Sequence, residues 1–475
     1  MTEQTEAVKN NKPDYDLIKQ KIATFLNSIW ALALISTLVV RFWVVDFPYI
    51  SLSLLTIFVV MVFVFCPDNP KAFILPFLST PLMLTSVLKY LYFALTCAGI
   101  AIIFFTYTII KALVKKDRPF KKGKIFYFFV LTTIGNCLGG IIGHFNFLYF
   151  LATLAISFLI YVLYWFCINF LKDYKKYIAY CFLFLSLIIS AEVVVAYLRA
   201  EDIILALQNK TVQIATGQIN GFGIFASIGV CASFYLANKN KYDYLYVLLA
   251  LFLDLIVFIT YSRISLLLAG IATIFYLVIV IKNSANKKIF LIGISAIVSV
   301  LLVACVVFFD KIYNLIAYYI NLGFKGNGRS TLWPWCWEQF KNNPSFGIGF
   351  VTNDAGAVAG QYPGMSDRGG GIAFVSCHNT ILHYLVCTGI VGLILSLPYL
   401  IGKYIVFIKN FSKFKLFCLV SLLIITLASF IDCFATNSFF HIITMNLILA
   451  FAEGSECAVE KEETKTEKLN KKKDK

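Results

Sequence analysis

Residues 147–198 read FLYFLATLAISFLIYVLYWFCINFLKDYKKYIAYCFLFLSLIISAEVVVAYL, two long apolar runs over 147–170 and 177–198 with a short polar break between them. Each run reaches the ~20 residues that a helix needs to cross the hydrocarbon core of a bilayer. The apolar residues are continuous rather than alternating every second position, which excludes a porin-like barrel. The break holds Lys172, Lys175 and Lys176, and lysines between spans collect on the cytoplasmic side. The two runs form a transmembrane helical hairpin.

The same pattern extends through the chain. Of 475 residues, 60% are hydrophobic and 14% charged. An ordinary soluble protein carries about 25% charged residues, so a soluble enzyme on a membrane anchor is excluded. Further apolar runs fall near 25–45, 49–65, 72–87, 90–113, 125–143, 218–237, 244–260, 263–281, 289–309, 378–401, 416–433 and 437–452. The expected fold class is all-α: a polytopic transmembrane helical bundle of about 12–14 spans. One large extracytoplasmic loop carries short helices. The boundaries are a cytoplasmic tail over 1–24, bundle over 25–309, loop over 310–377, bundle over 378–452 and a charged cytoplasmic tail over 453–475.

A net charge of +16 would suggest nucleic acid in a soluble chain, but its distribution points to topology instead. With both termini inside, the cytoplasmic connections hold Lys71, Lys115, Lys116, Lys121, Lys122, Lys124, Lys239, Lys241, Lys282, Lys287, Lys288, Lys403, Lys409, Lys413 and Lys415. The positive-inside rule is met at every connection. Of six arginines, however, only Arg118 falls inside, while Arg41, Arg199, Arg263, Arg329 and Arg368 map to the outer face. Arginine's planar fork grips phosphate oxygens at two points, which lysine cannot copy. That split points to an anionic ligand outside; snorkelling to headgroups accounts best for Arg41 and Arg199. Thirteen cysteines are scattered singly with no CxxC or Cys/His cluster, so neither zinc nor a disulfide framework is indicated. Cys336 and Cys377 share the loop, and unpaired thiols are expected there too.

The loop from Asp310 to Cys377 opens with an amphipathic stretch whose Ile312, Leu315, Ile316, Tyr319 and Ile320 suit an interfacial helix. It then becomes rich in glycine, with Trp333, Trp335, Trp337, Phe340, Phe346 and Phe350 interleaved. Those aromatics favour a folded element docked on the bundle. Ser330 or Thr331 is expected to cap a short helix that Pro344 stops. Arg329 then sits at a helix N-terminus suited to an anion. The next span begins CHNTILHYLVCTGIVGLIL, with His378 at its water-facing start. A histidine there can exchange a proton near neutral pH. His383 lies about 140° further round the helix and, like His144 and His441, reads as structural. Asp254 and Glu192 are the ionisable groups within spans, and a structural role is expected for Asp254.

The stretch GNGRSTLWPWCWEQFKNNPSFGIGF resembles the GR…W…P…G-x-G element of the bacterial O-antigen ligase and O-antigen polymerase superfamily. His378, Asn379, Gly389 and Gly392 fit that family's His-Asn, nine residues, Gly-x-x-Gly pattern, and SRISLLLAG from Ser262 is similar to its Ser-Arg at the outer start of a span. The elements cover roughly residues 217–400. The resemblance implies transfer of a glycan from an undecaprenyl-pyrophosphate donor to a lipid or glycan acceptor on the outer face of the cytoplasmic membrane. Inversion and metal-independent, cofactor-free chemistry go with it. Arg263 and Arg329 are expected to hold the pyrophosphate and His378 to act as base. Asn379, Arg368, Trp333, Gly389 and Gly392 are expected to contact substrate. The large loop has no Asp-x-Asp pair, in keeping with transfer without a metal. The partners implied are that donor, its acceptor and membrane lipid, with no nucleic acid. The alternatives are a polysaccharide polymerase of the same superfamily and a transporter of lipid-linked sugars, which would call for ionisable groups at mid-membrane.

Overall fold

The computed structural model describes residues 15–44, 48–79, 82, 91–114, 120–142, 146–171, 174–203, 205–206, 213–214, 217–237, 243–260, 262–283, 329–367, 371–432, 438 and 440–455, with isolated positions between 287 and 317. The chain is an all-α membrane bundle. Its helices are α1 Tyr15–Leu26, α2 Ile29–Val44, α3 Pro48–Phe65, α4 Ile74–Ser79, α5 Leu91–Val114, α6 Phe126–Ile142, α7 Phe147–Phe170, α8 Lys175–Leu198, α9 Ile219–Leu236, α10 Asp243–Ile259 and α11 Arg263–Asn283. Then follow α12 Arg329–Asn342, α13 Thr380–Gly402, α14 Lys413–Ala428 and α15 Phe440–Ser455.

These bounds track the apolar runs to within a few residues where they are described; of the run at 72–87, residues 80–81 and 83–87 lie outside the described residues. There a single turn at Lys71–Phe73 leads into the six-residue α4. Pro76 lies within this short helix. Among the described residues, five helices are long and apolar enough to cross a bilayer alone, and α1 with α2, bent by 59° between them, makes a sixth. The remaining apolar helices are 16–18 residues long in α3, α9 and α14. At about 1.5 Å per residue they fall a few ångströms short of the ~30 Å core. The expected span at 289–309, the interfacial helix that follows it and both charged tails lie largely or wholly outside the described residues.

Helix α9 runs through the centre. It carries no charge, and small residues let its neighbours approach closely: Gly229 lies against Ser186 of α8, and Gly223 against Thr260 and Ser265. Ser186 Oγ donates to Phe225 O across that contact at 2.7 Å. Asp254 of α10 accepts from Thr273 Oγ1 of α11 at 2.6 Å, tying two spans together.

Tyr149, near the start of α7, packs on Phe350 and Phe374 of the loop with ring centroids 5.8 and 6.1 Å away. The 24 residues of α7 carry the chain about 36 Å, so Phe170 and Lys175 lie at the opposite end. Helix α8 returns to the loop end. There Arg199 donates to Val44 O at 2.7 Å, Arg41 to Ser51 Oγ at 3.4 Å, and Tyr197 Oη to Ile259 O at 3.3 Å. Arg263 opens α11 four residues beyond Ile259. Thus Arg41, Arg199, Arg263 and Arg329 share the loop end, while Lys124, Lys175, Lys403 and Lys415 sit at the other. Arg41 and Arg199 join helix ends, which is a structural use. Arg118 lies outside the described residues.

The described loop combines α12 with a three-stranded antiparallel sheet of β1 Val351–Thr352, β2 Met365–Asp367 and β3 Ala373–Val375, in the order β1-β3-β2. Leu332, Cys336, Ile348, Phe350, Val375 and Cys377 form its core together with Val386 and Cys387 of α13. Cys336 and Cys377 are separate buried thiols. Helix α12 starts at Arg329, earlier than the expected cap, so Ser330 and Thr331 lie within its first turn.

Candidate functional site

Helix α13 is where loop and bundle meet, and its sequence makes it break. Gly389 adopts φ 64° and ψ −166°, a conformation open in practice to glycine alone. The break frees two carbonyls and two N–H groups, and the PSFGIGF segment from Pro344 satisfies them all. Ile348 N donates to Val386 O at 2.8 Å and Gly349 N to Cys387 O at 3.0 Å. Ile390 N donates to Pro344 O at 2.8 Å and Val391 N to Ser345 O at 3.1 Å. A Cβ on Gly389 would overlap the Ser345 carbonyl, and one on Gly347 would overlap Val386 O. Gly392 is buried where α13 passes Gly135 of α6. Gly389 and Gly392, expected to contact substrate, therefore lie inside the packing and shape the backbone.

The start of α13 is pinned just as firmly. Asn379 caps the helix by accepting from Leu382 N at 3.0 Å, and its Nδ2 donates to Phe430 O at 2.7 Å. Thr380 N donates to Ser429 O at 3.0 Å. These bonds tie the residues after His378 to the turn that ends α14. From the loop side, Trp333 Nε1 of α12 donates to Cys377 O at 3.2 Å.

His378 sits between those two anchors with φ 47°, a left-handed backbone that only a well-held residue maintains. Its Nδ1 is 2.8 Å from Asp432 Oδ1. An ionised carboxylate can only accept, so Nδ1 carries the hydrogen and Nε2 is left with the lone pair. The imidazole side chain is 37% exposed and Asp432 22%. The pair thus presents a partly open imidazole whose orientation is set by a carboxylate and whose other nitrogen is not used in that bond. Asp432 was not among the residues singled out from sequence. The available signal was an acid in SFIDCF, closing a span at the outer end, but no spacing ties it to a histidine 54 positions earlier.

The other histidines differ. His383 is buried against Phe350, ring centroids 5.5 Å apart, with the Cys387 thiol 3.7 Å from its Nδ1. His441 is buried, held by Ser438 Oγ at 2.6 Å and Gly221 O at 3.0 Å. Both are structural as expected; His144 lies outside the described residues.

Arg329 begins α12 one turn before Trp333, and residues four apart share a helix face. That places it along the face that reaches Cys377, the residue before His378. Arg263 approaches from the bundle. Ser262 and Ser265 hydroxyls bond each other at 2.7 Å around it, and Ser227 Oγ donates to Ser265 O at 3.4 Å. Ser227 is on α9, whose start is held by His441, itself within electrostatic reach of Asp432. Arg263 is partly exposed and makes no hydrogen bond or ion pair among the described residues. Arg368 lies outside them.

Residues 245–397 match the model of the O-antigen ligase family. The chain therefore carries a segment similar to the O-antigen ligase domain. The ligase domain covers about a third of the chain and contains Arg263, Arg329, Trp333, His378 and Asn379. Asp432 lies beyond its matched end and reaches back to it through the fold. No curated protein and no solved structure matches the chain. An O-antigen ligase or polymerase type of membrane enzyme is what the domain and the apolar helices together describe.

Proposed function

We propose that the protein transfers a glycan from an undecaprenyl-pyrophosphate donor to a hydroxyl of a lipid or glycan acceptor, at the outer face of the cytoplasmic membrane. Both termini are then cytoplasmic. The observation that carries this reading is the His378–Asp432 pair, held at 2.8 Å where the ligase domain's loop meets the bundle.

In the reaction, the acceptor oxygen attacks the anomeric carbon as the carbon–oxygen bond to pyrophosphate breaks. His378 Nε2 takes the acceptor proton, which a hydroxyl of pKa far above neutral does not release unaided. Asp432 holds the ring and steadies the imidazolium that forms. Arg263 and Arg329 stabilise the charge that develops on the departing pyrophosphate, where fixed cations act most strongly. Direct displacement inverts the anomeric carbon. Trp333 borders the site and Asn379 orients His378 or the sugar, while Arg368 is a further candidate for binding the anionic donor. Asp254, bonded to Thr273, acts as a link between spans rather than as a transporter's coupling group.

The test uses the purified protein in liposomes supplied with lipid-linked glycan and acceptor. The proposal expects a new glycosidic bond in the product. Movement of intact donor across the bilayer with no bond formed would replace it with the transporter reading. Extension of the donor glycan itself would assign the polymerase.

A further inference from the structure

At the end of the bundle opposite His378, the elbow between α1 and α2 borders an open pocket of about 410 Å³. Asn27, Ile29, Lys71, Lys175, Lys176 and Tyr177 line it, with Tyr180. We propose that this pocket binds the phosphate headgroup of an anionic membrane phospholipid.

Three positive charges converge here from two separate segments, and among the described residues no aspartate or glutamate lines the pocket. Lys71 Nζ lies over the Tyr177 ring, 4.9 Å from its centroid. Lys175 and Lys176 make no hydrogen bond or ion pair among the described residues. Like charges gathered with no acid among the described lining residues repel, and an anion would complete the arrangement. The backbone adds to this. Lys175 and Lys176 open the 24-residue α8, whose N-cap Tyr174 supplies no side-chain hydrogen bond and whose first turn holds no acid. The N–H groups of that turn favour a phosphate on both dipolar and hydrogen-bonding grounds.

The rim identifies the source of the phosphate. Ile29 is 43% exposed and Trp30 72%, and the adjoining α1 exposes Leu17, Ile18 and Phe25. Helix α1 is amphipathic in sequence and leaves α2 at 59°, as a helix lying along the membrane surface would. A cationic floor beside an apolar rim complements a molecule with a phosphate at one end and acyl chains at the other. A free phosphate would use the floor and leave the rim unfilled. Basic pockets between spans are a general means of holding such lipids.

The test places the full-length protein in phosphatidylcholine nanodiscs containing a minor fraction of phosphatidylglycerol, and counts retained lipid by native mass spectrometry. The wild type should retain phosphatidylglycerol in preference to phosphatidylcholine. The triple variant Lys71→Gln, Lys175→Gln, Lys176→Gln should bind it on the order of 100-fold more weakly, from the usual contribution of each lysine near a charged lipid. Circular dichroism and gel filtration check that it folds. Should it not fold, Lys176→Glu, on an exposed side chain, should still weaken retention at least about fivefold. Equal retention of the two lipids by the wild type, or unchanged retention in a folded variant, would overturn the proposal. So would inorganic phosphate alone displacing phosphatidylglycerol completely at equal concentration, which would show a free-anion site.

Discussion

His378 and Asp432 make one unit, and its parts are not equally exchangeable. Asparagine at 432 keeps the size but can turn an N–H toward Nδ1, which then favours a hydrogen on Nε2 and removes the lone pair facing the acceptor. Asp432→Asn should therefore slow transfer by about 10² or more, with donor binding preserved. Adding it to His378→Ala should cost little further, since groups acting as one unit are not additive. Comparing the three variants in one transfer assay measures this; strictly multiplicative losses would separate the two residues. The arginines are tested by lysine, which keeps charge and loses the fork. Arg263→Lys and Arg329→Lys should each lower transfer roughly ten- to a hundredfold, the worth of a lost charge-assisted hydrogen bond. Full activity in Arg263→Lys would remove it from the pyrophosphate site. At this scale the sequence was informative where chemistry shows in residue type. A histidine at a span's outer start and arginines away from the lysines were legible. Asp432 was not, because only the docking of α14 against the start of α13 brings it to His378.

The broken α13 shows how an element can serve the site without touching substrate. Its break at Gly389 lets the 344–349 segment bond directly to the helix backbone, and this fixes α12 and the sheet over the bundle end. Gly389→Ala should cost about 1–3 kcal/mol in backbone strain alone, with more from overlap with Ser345. The variant should unfold at lower temperature and lose transfer together with the docked loop. Thermal unfolding with intrinsic tryptophan fluorescence measures both, and a wild-type melting profile would contradict the stitching. The Gly-x-x-Gly spacing was visible in sequence, and the structure shows close backbone packing at both glycines. Glycine reports only that something comes close, and here it is the chain's own backbone. The strands of the loop were not foreseen either: two or three residues are too few for period-two patterning to register. Helix α12, bounded by Pro344, was legible.

For the whole molecule, hydrophobic run length fixed nearly every helix, because lipid leaves no alternative way to satisfy a backbone. Among the described residues, Arg41, Arg199, Arg263 and Arg329 gather at the loop end and Lys124, Lys175, Lys403 and Lys415 at the other, the bundle-scale counterpart of the proposed site chemistry. If the loop end faces outward, a membrane-impermeant amine reagent applied to intact cells should label Lys341 and spare Lys175 and Lys176, read by peptide mapping. The reverse pattern would invert the topology and remove the site from the face where lipid-linked glycans are presented. The most direct test of the central claim is the transfer rate of His378→Ala in liposomes with lipid-linked donor and acceptor. The account expects a fall of about 10² to 10⁴ with donor binding intact, the range of general-base assistance. Transfer at the wild-type rate would contradict it.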